Sequence, residues 1–143
     1  MPLNVHLQPA AADTLQRWHQ LLAERRLSQL PELLHPQAVF RSPMAFKPYA
    51  GVALVTLILN TVSQVFVDFV YHRELVSADG LSVVLEFSAR VGDRELKGID
   101  LIRFDEQGRI VEFEVMIRPM SGLQALGEEM ARRLAPFLSA QGS

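Results

Sequence analysis

The chain has 143 residues, the length of one domain, and 49% of them are hydrophobic, which is enough to build a core. The formal net charge of −2 gives no reason to expect nucleic acid or an anionic membrane as a partner. Cysteine is absent, which excludes disulfides, thiol catalysis and thiolate metal sites. Residues 1–9 carry no basic segment followed by an apolar core, so we expect no signal peptide and a cytoplasmic protein.

The first part of the chain has helical periodicity. A first helix is predicted to begin at Asp13, with Gln16 as its capping partner, and to turn Leu15, Trp18 and Leu22 inward.

Two further helices are predicted around a short strand. The helix over residues 28–34 should stop at His35-Pro36, because a residue before proline disfavours the helical conformation. Residues 38–41 are predicted to form a strand. The next helix, over residues 51–66, is apolar on nearly all sides.

Beyond the third helix the hydrophobic period changes from helical to alternating. Strands are predicted over residues 69–77, 81–91, 96–104 and 109–118, and a last helix over residues 121–134. The last three strands each have one apolar and one polar face, the pattern of a half-exposed antiparallel sheet. We therefore predict an α+β fold, in which three N-terminal helices cover the apolar, concave face of a curved sheet and leave a cavity at its open end.

Asp100 is the clearest chemical signal in the sequence. Alternation along its strand places Asp100 on the same side as Leu96, Gly98, Ile102 and Phe104. An unpaired charge among apolar groups costs free energy, so the site must supply a partner or raise the pKa of the carboxyl group. Both outcomes indicate a reactive or ligand-binding carboxylate that points into the cavity.

Two segments resemble the nuclear transport factor 2-like superfamily. The segment GIDLIRFD at residues 98–105, followed by GRIV at residues 108–111, is similar to the family's hairpin of aspartate, spacer, Arg-Phe, turn and Gly-(Arg/Lys)-Ile-Val. The segment LLHPQAVF at residues 33–40 is similar to the junction between the family's helix and its first strand. The superfamily has a cone-shaped fold and includes ketosteroid isomerase, scytalone dehydratase, limonene-epoxide hydrolase and SnoaL-like polyketide cyclases. The resemblance implies a single SnoaL-like domain over residues 1–143, with a core over about 13–118 and a C-terminal helix over about 121–135.

The resemblance also implies a role for Asp100. This residue matches the pocket aspartate that is an oxyanion-hole acid in ketosteroid isomerase and the general base in SnoaL-like cyclases. The isomerase's own base corresponds to Ser42, and the phenolic donor on its first helix corresponds to Trp18, so both groups differ here. The epoxide hydrolase has an arginine two residues before its aspartate, where this chain has Gly98.

Other candidates for the pocket carry alternative interpretations. Scytalone dehydratase uses histidine and tyrosine partners, for which His72 and Tyr71 are candidates. Trp18 either offers its indole N–H to the cavity or is an aromatic anchor of the core. Asp100 is either a catalytic acid or base, or a carboxylate satisfied by Trp18 or a buried water. The predicted substrate-binding residues are Trp18, Ser42, His72, Val83, Leu85, Phe87, Phe113, Val115 and Ile117.

No cofactor and no metal is predicted. The sequence has no His/Asp/Glu cluster with metal-ligand spacing, no glycine-rich phosphate loop after a strand and no Gly-x-Ser-x-Gly elbow. A small hydrophobic molecule is the expected partner. A homodimer is also predicted, because members of this family commonly dimerise through the polar sheet face, where opposite charges can pair across a two-fold axis. The residues of that face are Val84, Glu86, Arg90, Ile99, Leu101, Arg103, Glu114 and Met116.

Three functions are compatible with the sequence. The first is a cofactor-independent enzyme of isomerase, cyclase or dehydratase type, in which Asp100 performs acid/base chemistry on a small hydrophobic carbonyl compound. The second is a non-catalytic protein that binds an apolar ligand and uses the same carboxylate as a polar anchor. The third is a dimeric interaction module with a vestigial cavity filled by side chains.

Overall fold

Three helices, a 3-10 helix and six strands make up the part of the chain that the structure describes. The computed structural model describes the backbone of residues 5–142 and the side chains of residues 5–137. The elements in chain order are α1 (Pro9–Ala23), a 3-10 helix (Leu27–Leu33), β1 (Leu34–Arg41), β2 (Tyr49–Ala50), α2 (Val52–Val65), β3 (Val67–Val76), β4 (Ser82–Val91), β5 (Arg94–Phe104), β6 (Ile110–Arg118) and α3 (Met120–Gly142). The predicted α+β fold is confirmed.

One six-stranded sheet, in the order β2-β1-β6-β5-β4-β3, forms the body of the fold. All neighbours are antiparallel except β1 and β6, which run parallel. The longest pairing joins β4 and β5, from Ser82–Arg103 to Val91–Arg94 without interruption. The strands β4, β5 and β6 therefore lie inside the sheet, β3 forms one edge, and the N-terminal β1 pairs with the last strand.

The beginning of α1 differs from the prediction. The helix begins at Pro9 rather than Asp13, because proline is tolerated in the first turn, where its missing N–H has no partner to lose. The predicted Asp13–Gln16 cap is therefore wrong. The inward stripe is present: Leu15 and Trp18 are buried.

The start of the sheet also differs from the prediction. The strand β1 begins at Leu34, passes through His35-Pro36 and is longer than the predicted 38–41. Its pairing with β6 shifts register between Leu34 and Val39. Proline cannot donate to a ladder, so it is tolerated where the pairing is interrupted. The sequence predicts the end of a helix before Pro36, so the predicted strand lacks residues 34–37.

The hydrophobic core lies between the concave face of the sheet and the helices. The largest fully buried side chains come from both layers, and they are Leu21, Leu27, Leu30, Val55, Val83, Leu85, Phe87, Ile102, Phe104, Ile110 and Phe113. Among the helices that the structure describes, none is long and apolar enough to cross a membrane.

Candidate active site

A cavity of about 980 Å³ opens between the sheet and the helices. Its walls come from α1, α2, α3, the end of β1, and the inner faces of β3, β5 and β6. Most of the lining is apolar, and a few polar side chains, among them Asp100 and Tyr71, point into it. The interior is hollow, which is contrary to the hypothesis of a cavity filled by side chains.

Asp100 lies on the inner face of β5 and is 6% exposed. Its strand neighbours are Leu85 on β4 and Val115 on β6, so apolar side chains flank the carboxyl group. The alternation predicted from the sequence therefore agrees with this placement. An inward carboxyl group in apolar surroundings needs a polar partner, and the partner comes from another strand.

Three side chains form a hydrogen-bonded series that ends at Asp100. The Trp18 indole N–H on α1 donates to the Tyr71 hydroxyl over 3.1 Å, and that hydroxyl donates to Oδ2 of Asp100 over 2.7 Å. Tyr71 belongs to β3 and Asp100 to β5, so the phenol reaches across the width of β4. Each donor in the series fixes the next acceptor, and Asp100 is the terminal acceptor.

Burial dominates the electrostatics of the pair. Desolvation raises the pKa of the Asp100 carboxyl group to about 7, and the hydrogen bond from Tyr71 opposes that rise. Burial, together with the nearby charge of Asp100, raises the pKa of the Tyr71 phenol well above its ordinary range. Tyr71 is therefore a neutral donor, and near neutral pH Asp100 exists both with and without its proton, which suits a group that accepts and returns one.

Trp18 is a positioning residue for this series. It is buried, and its ring packs on Phe113 with centroids 5.1 Å apart. Both interpretations of Trp18 thus hold, because the ring is part of the core and the indole N–H donates a hydrogen bond. The acceptor of that bond is Tyr71 rather than Asp100.

His19, the residue after Trp18, also lines the cavity. Its ring meets the Tyr71 ring edge to face, with centroids 5.2 Å apart. Burial lowers the pKa of His19, and the charge of Glu74 opposes this change. A neutral imidazole therefore lies beside the Tyr71–Asp100 pair.

The predicted wall residues divide into two layers. Trp18, Ser42, Phe113 and Val115 line the cavity, whereas Phe87 lies behind it. Two other aromatic rings, one from the residue that links α2 to β3 and one from β3, pack on Phe87 with centroid distances of 5.6 Å and 5.0 Å, and these rings line the cavity in its place. The two rings are those of Phe66 and Phe69. The remaining predicted wall residues, Val83, Leu85 and Ile117, belong to the core or pack against it.

His72 differs from its predicted position. It follows Tyr71 on β3, so alternation turns it to the outer face, where its Nε2 lies 2.8 Å from the Ser88 hydroxyl. The expectation that His72 binds substrate needs correction for this reason.

Gly98 shows why the hydrolase-type arginine has no place here. A Cβ at this position would lie 2.5 Å from the Met116 carbonyl oxygen and 2.8 Å from the ring of Phe87. Both contacts are shorter than van der Waals distance, so this point of β5 excludes any side chain.

Tyr71 is the residue of the site that the sequence indicates most weakly. It was a candidate only by resemblance, yet it makes the shortest contact with Asp100. Parity along β3 was ambiguous because charged residues occupy both faces, with Glu74 and Arg73 adjacent in sequence. The register shift between Tyr71 and Glu74 is the physical source of that ambiguity.

Within the part of the chain whose side chains are described, no three His, Asp or Glu residues are grouped closely enough to hold a metal ion. The cavity offers instead carboxyl, phenol, hydroxyl and imidazole groups on apolar walls.

Comparison with known proteins assigns the fold to a family. A family model described as a SnoaL-like domain matches residues 15–113, which includes the elements that carry Trp18, Tyr71 and Asp100. The chain belongs to the SnoaL-like family. No functionally curated protein matches it in sequence.

Solved structures agree with this assignment. A steroid delta-isomerase from Pseudomonas aeruginosa is 71% identical, with a TM-score of 0.91 over 95% of this SnoaL-like chain and 99% of that one. An uncharacterized bacterial protein with a cystatin-like fold from Silicibacter pomeroyi is 33% identical, with a TM-score of 0.82 over 90% and 92% of the two chains. A nuclear transport factor 2-like protein of unknown function from Mesorhizobium loti is 18% identical, with a TM-score of 0.68 over 80% of this chain and 100% of that one, and shows the shared fold.

Proposed function

We propose that this SnoaL-like protein is a cofactor-independent enzyme of the isomerase or cyclase type that acts on a small hydrophobic carbonyl compound. The observation that carries the proposal is a desolvated carboxyl group, Asp100, at the wall of a large apolar cavity and held by a neutral phenol. Its pKa of about 7 matches the operating pH of a general base. The name of the 71% identical relative, a steroid delta-isomerase, points to the same class of reaction.

The proposed chemistry begins with removal of a proton from a carbon next to a carbonyl group. The Asp100 carboxylate takes the proton, and the electron pair of the broken C–H bond forms an enolate. In an isomerisation the carboxyl group returns the same proton to a second carbon, so atoms and charge balance. In a cyclisation the enolate carbon attacks a second carbonyl group of the same molecule, the π bond of that carbonyl breaks, and the resulting alkoxide takes the proton from Asp100.

Tyr71 and Ser42 have separate roles in this proposal. The Tyr71 hydroxyl donates to Oδ2 of Asp100, which leaves Oδ1 to receive the proton. The Ser42 oxygen accepts the Met44 backbone N–H over 3.0 Å, and in this proposal its own proton is donated to the enolate oxygen. Burial strengthens the bond between Tyr71 and Asp100. In this chain the phenol belongs to β3, whereas the phenolic donor of ketosteroid isomerase lies on the first helix. The first helix here contributes Trp18, which donates to the phenol.

The test compares Asp100→Asn with Asp93→Asn, a change of the same chemistry at a carboxylate that is 97% exposed. The substrate is a β,γ-unsaturated 3-ketosteroid, whose isomerisation to the conjugated ketone is followed by ultraviolet absorbance. We expect Asp100→Asn to lower kcat by about 100-fold or more and Asp93→Asn to leave it within about twofold.

Binding separates catalysis from simple ligand recognition. Trp18 is the single tryptophan, and quenching of its fluorescence by the conjugated product reports occupancy of the cavity. Asp100→Asn should bind the product about as well as the wild type. Binding without turnover in the wild type, with a range of activated ketones, would assign the protein to the non-catalytic alternative.

We also propose that two copies associate through the outer face of the sheet. Several charges of this face are already paired within the chain, since Glu86 binds Arg73 and Lys97, and Arg90 binds Asp68. The association therefore depends on apolar side chains between those pairs. These are Val84, Ile99, Leu101 and Met116, the last of which is 46% exposed.

A further inference from the structure

The exposed residues among the cavity lining mark its opening, and Arg25 and Asp68 are charged residues there. Asp68 is compensated, because its Oδ2 accepts hydrogen bonds from Nε and Nη2 of Arg90 over 3.1 Å and 2.8 Å. Arg25 is different. Among residues 5–137, no carboxylate lies within 4 Å of its guanidinium and no side chain forms a hydrogen bond with it. Within the side chains that the structure describes, the opening thus carries one positive charge without a carboxylate partner.

The end of α1 explains how Arg25 reaches the opening. The Arg25 N–H bonds the Leu22 carbonyl and the Arg26 N–H bonds the Leu21 carbonyl, which is the glycine-type ending of a helix. Arg25 occupies the left-handed position, with φ of 55°. The next residue, Arg26, instead pairs with Glu24 at 3.0 Å. Two consecutive arginines therefore have different surroundings, one paired on the surface and one unpaired at the cavity.

We propose that Arg25 binds a single anionic group of the substrate, so that the carbonyl compound carries a carboxylate at the end remote from Asp100. This inference rests on the proposed function and narrows its substrate class to hydrophobic acids that also contain an activated carbonyl group.

The rest of the cavity lining supports this arrangement. Leu22, Leu59, Val62, Phe66 and Phe69 line the same cavity as Arg25 and Asp100 and give it apolar walls. A hydrocarbon body fits against such walls, whereas a carboxylate there would lose its hydration without a partner. A guanidinium at the wet end binds a carboxylate through two parallel hydrogen bonds. One guanidinium balances one charge, which favours a carboxylate over a doubly charged phosphate.

The test uses two fluorescent probes that differ in one charge, 11-(dansylamino)undecanoic acid and its methyl ester. Dissociation constants are measured at low salt for the wild type, Arg25→Gln, Arg25→Lys and Arg26→Gln. We expect the wild type to bind the acid about tenfold more tightly than the ester. Arg25→Gln should remove that preference by weakening only the acid, Arg25→Lys should keep part of it, and Arg26→Gln should keep all of it.

Two results would overturn the proposal. One is a wild type that binds acid and ester equally, and the other is an Arg25→Gln variant that weakens both probes to the same extent, which would indicate a packing role. Because the readout is binding, it is independent of turnover. An Asp100→Asn variant that turns over as fast as the wild type, with an intact acid preference, would reject the proposed reaction and retain the anion site.

Discussion

Asp100 and Tyr71 share one hydrogen bond, and that bond opposes the effect of burial on the carboxyl group. Without Tyr71 the ionised form of Asp100 loses its donor while it stays desolvated, so its pKa must rise further. The pair therefore adjusts the proton affinity of Asp100 between two limits. Burial alone would keep the acid protonated, and full hydration would keep it ionised.

The first prediction follows from this balance. In Tyr71→Phe the pH at which activity is half-maximal should move upward from about 7, because the stabilising donor of the carboxylate is gone. The measurement is the pH dependence of kcat/KM. Tyr49→Phe removes the hydroxyl of another tyrosine that lines the cavity, and it should leave the midpoint in place. A downward or absent shift in Tyr71→Phe would contradict the assigned role of the phenol.

The second prediction concerns stability against pH. Unfolded aspartate loses its proton near pH 4, whereas folded Asp100 keeps it to about 7. Between these values folded Asp100 binds more protons than unfolded Asp100, so the contribution of Asp100 to wild-type stability falls as pH rises. Asp100→Asn does not ionise. The free energy of unfolding of this variant, relative to that of the wild type, should therefore increase from pH 4 to pH 7, by at most about 4 kcal/mol.

Urea unfolding at several pH values measures this difference, and Asp93→Asn serves as the control that should follow the wild type. A difference between Asp100→Asn and wild type that is the same at pH 4 and pH 8 would show that the carboxyl group is not desolvated in the native state.

At the scale of elements, α2 contains a polar atom without a partner. The Thr56 hydroxyl is buried and makes no hydrogen bond in the described part of the chain. Thr61, one and a half turns later, donates to the Leu57 carbonyl over 2.7 Å. Burying an unsatisfied hydroxyl costs free energy, while valine has the same shape and nearly the same helix propensity.

Thr56→Val should therefore raise the free energy of unfolding by about 1 kcal/mol, measured by urea denaturation. Thr61→Val removes a formed hydrogen bond and should give no such gain. Equal effects of the two substitutions would mean that helix packing, rather than the missing partner, decides the outcome.

The same scale shows what the sequence can predict. The strands β4, β5 and β6 were predicted within a few residues, because each buries one face and alternation is then strict. The same strict alternation along β5 predicts that the Asp100 side chain points inward. The start of α1 and the first half of β1 were missed because Pro9 and Pro36 permit more than one local structure.

The partner of Asp100 was harder to predict for a related reason. The β3 strand has exposed or half-exposed residues on both faces and shifts register, so its parity does not identify an inner face. The contact between Tyr71 and Asp100 depends on how β3, β4 and β5 lie side by side in the sheet. The contact between Trp18 and Tyr71 depends on how α1 packs over that sheet. The sequence likewise predicts that Phe87 lines the cavity, but Phe66 and Phe69 pack on its ring and line the cavity instead.

For the whole molecule, the outer face of the sheet yields a prediction on assembly. Met116 is exposed on that face, next to Ile99 on the adjacent strand. If two copies associate there, Met116→Lys places a charge in an apolar contact and should convert the dimer to monomer in sedimentation velocity experiments.

Met120→Lys is the matched control, because Met120 is 81% exposed at the start of α3 rather than on the sheet, and this variant should remain dimeric. A wild-type protein that sediments as a monomer at micromolar concentration would contradict the proposed association. That result would leave the proposed Asp100 chemistry in place, since Asp100 lies on the inner face of the sheet and Met116 on the outer face.

The most direct measurement for the whole account is a carbon-13 NMR titration of the aspartate side-chain carboxyl groups. The aspartates are Asp13, Asp68, Asp79, Asp93, Asp100 and Asp105. One signal should titrate with a midpoint of about 7 and be missing from Asp100→Asn. If every aspartate signal of the wild type instead titrates below about pH 5, Asp100 is hydrated in solution and the proposed base is contradicted.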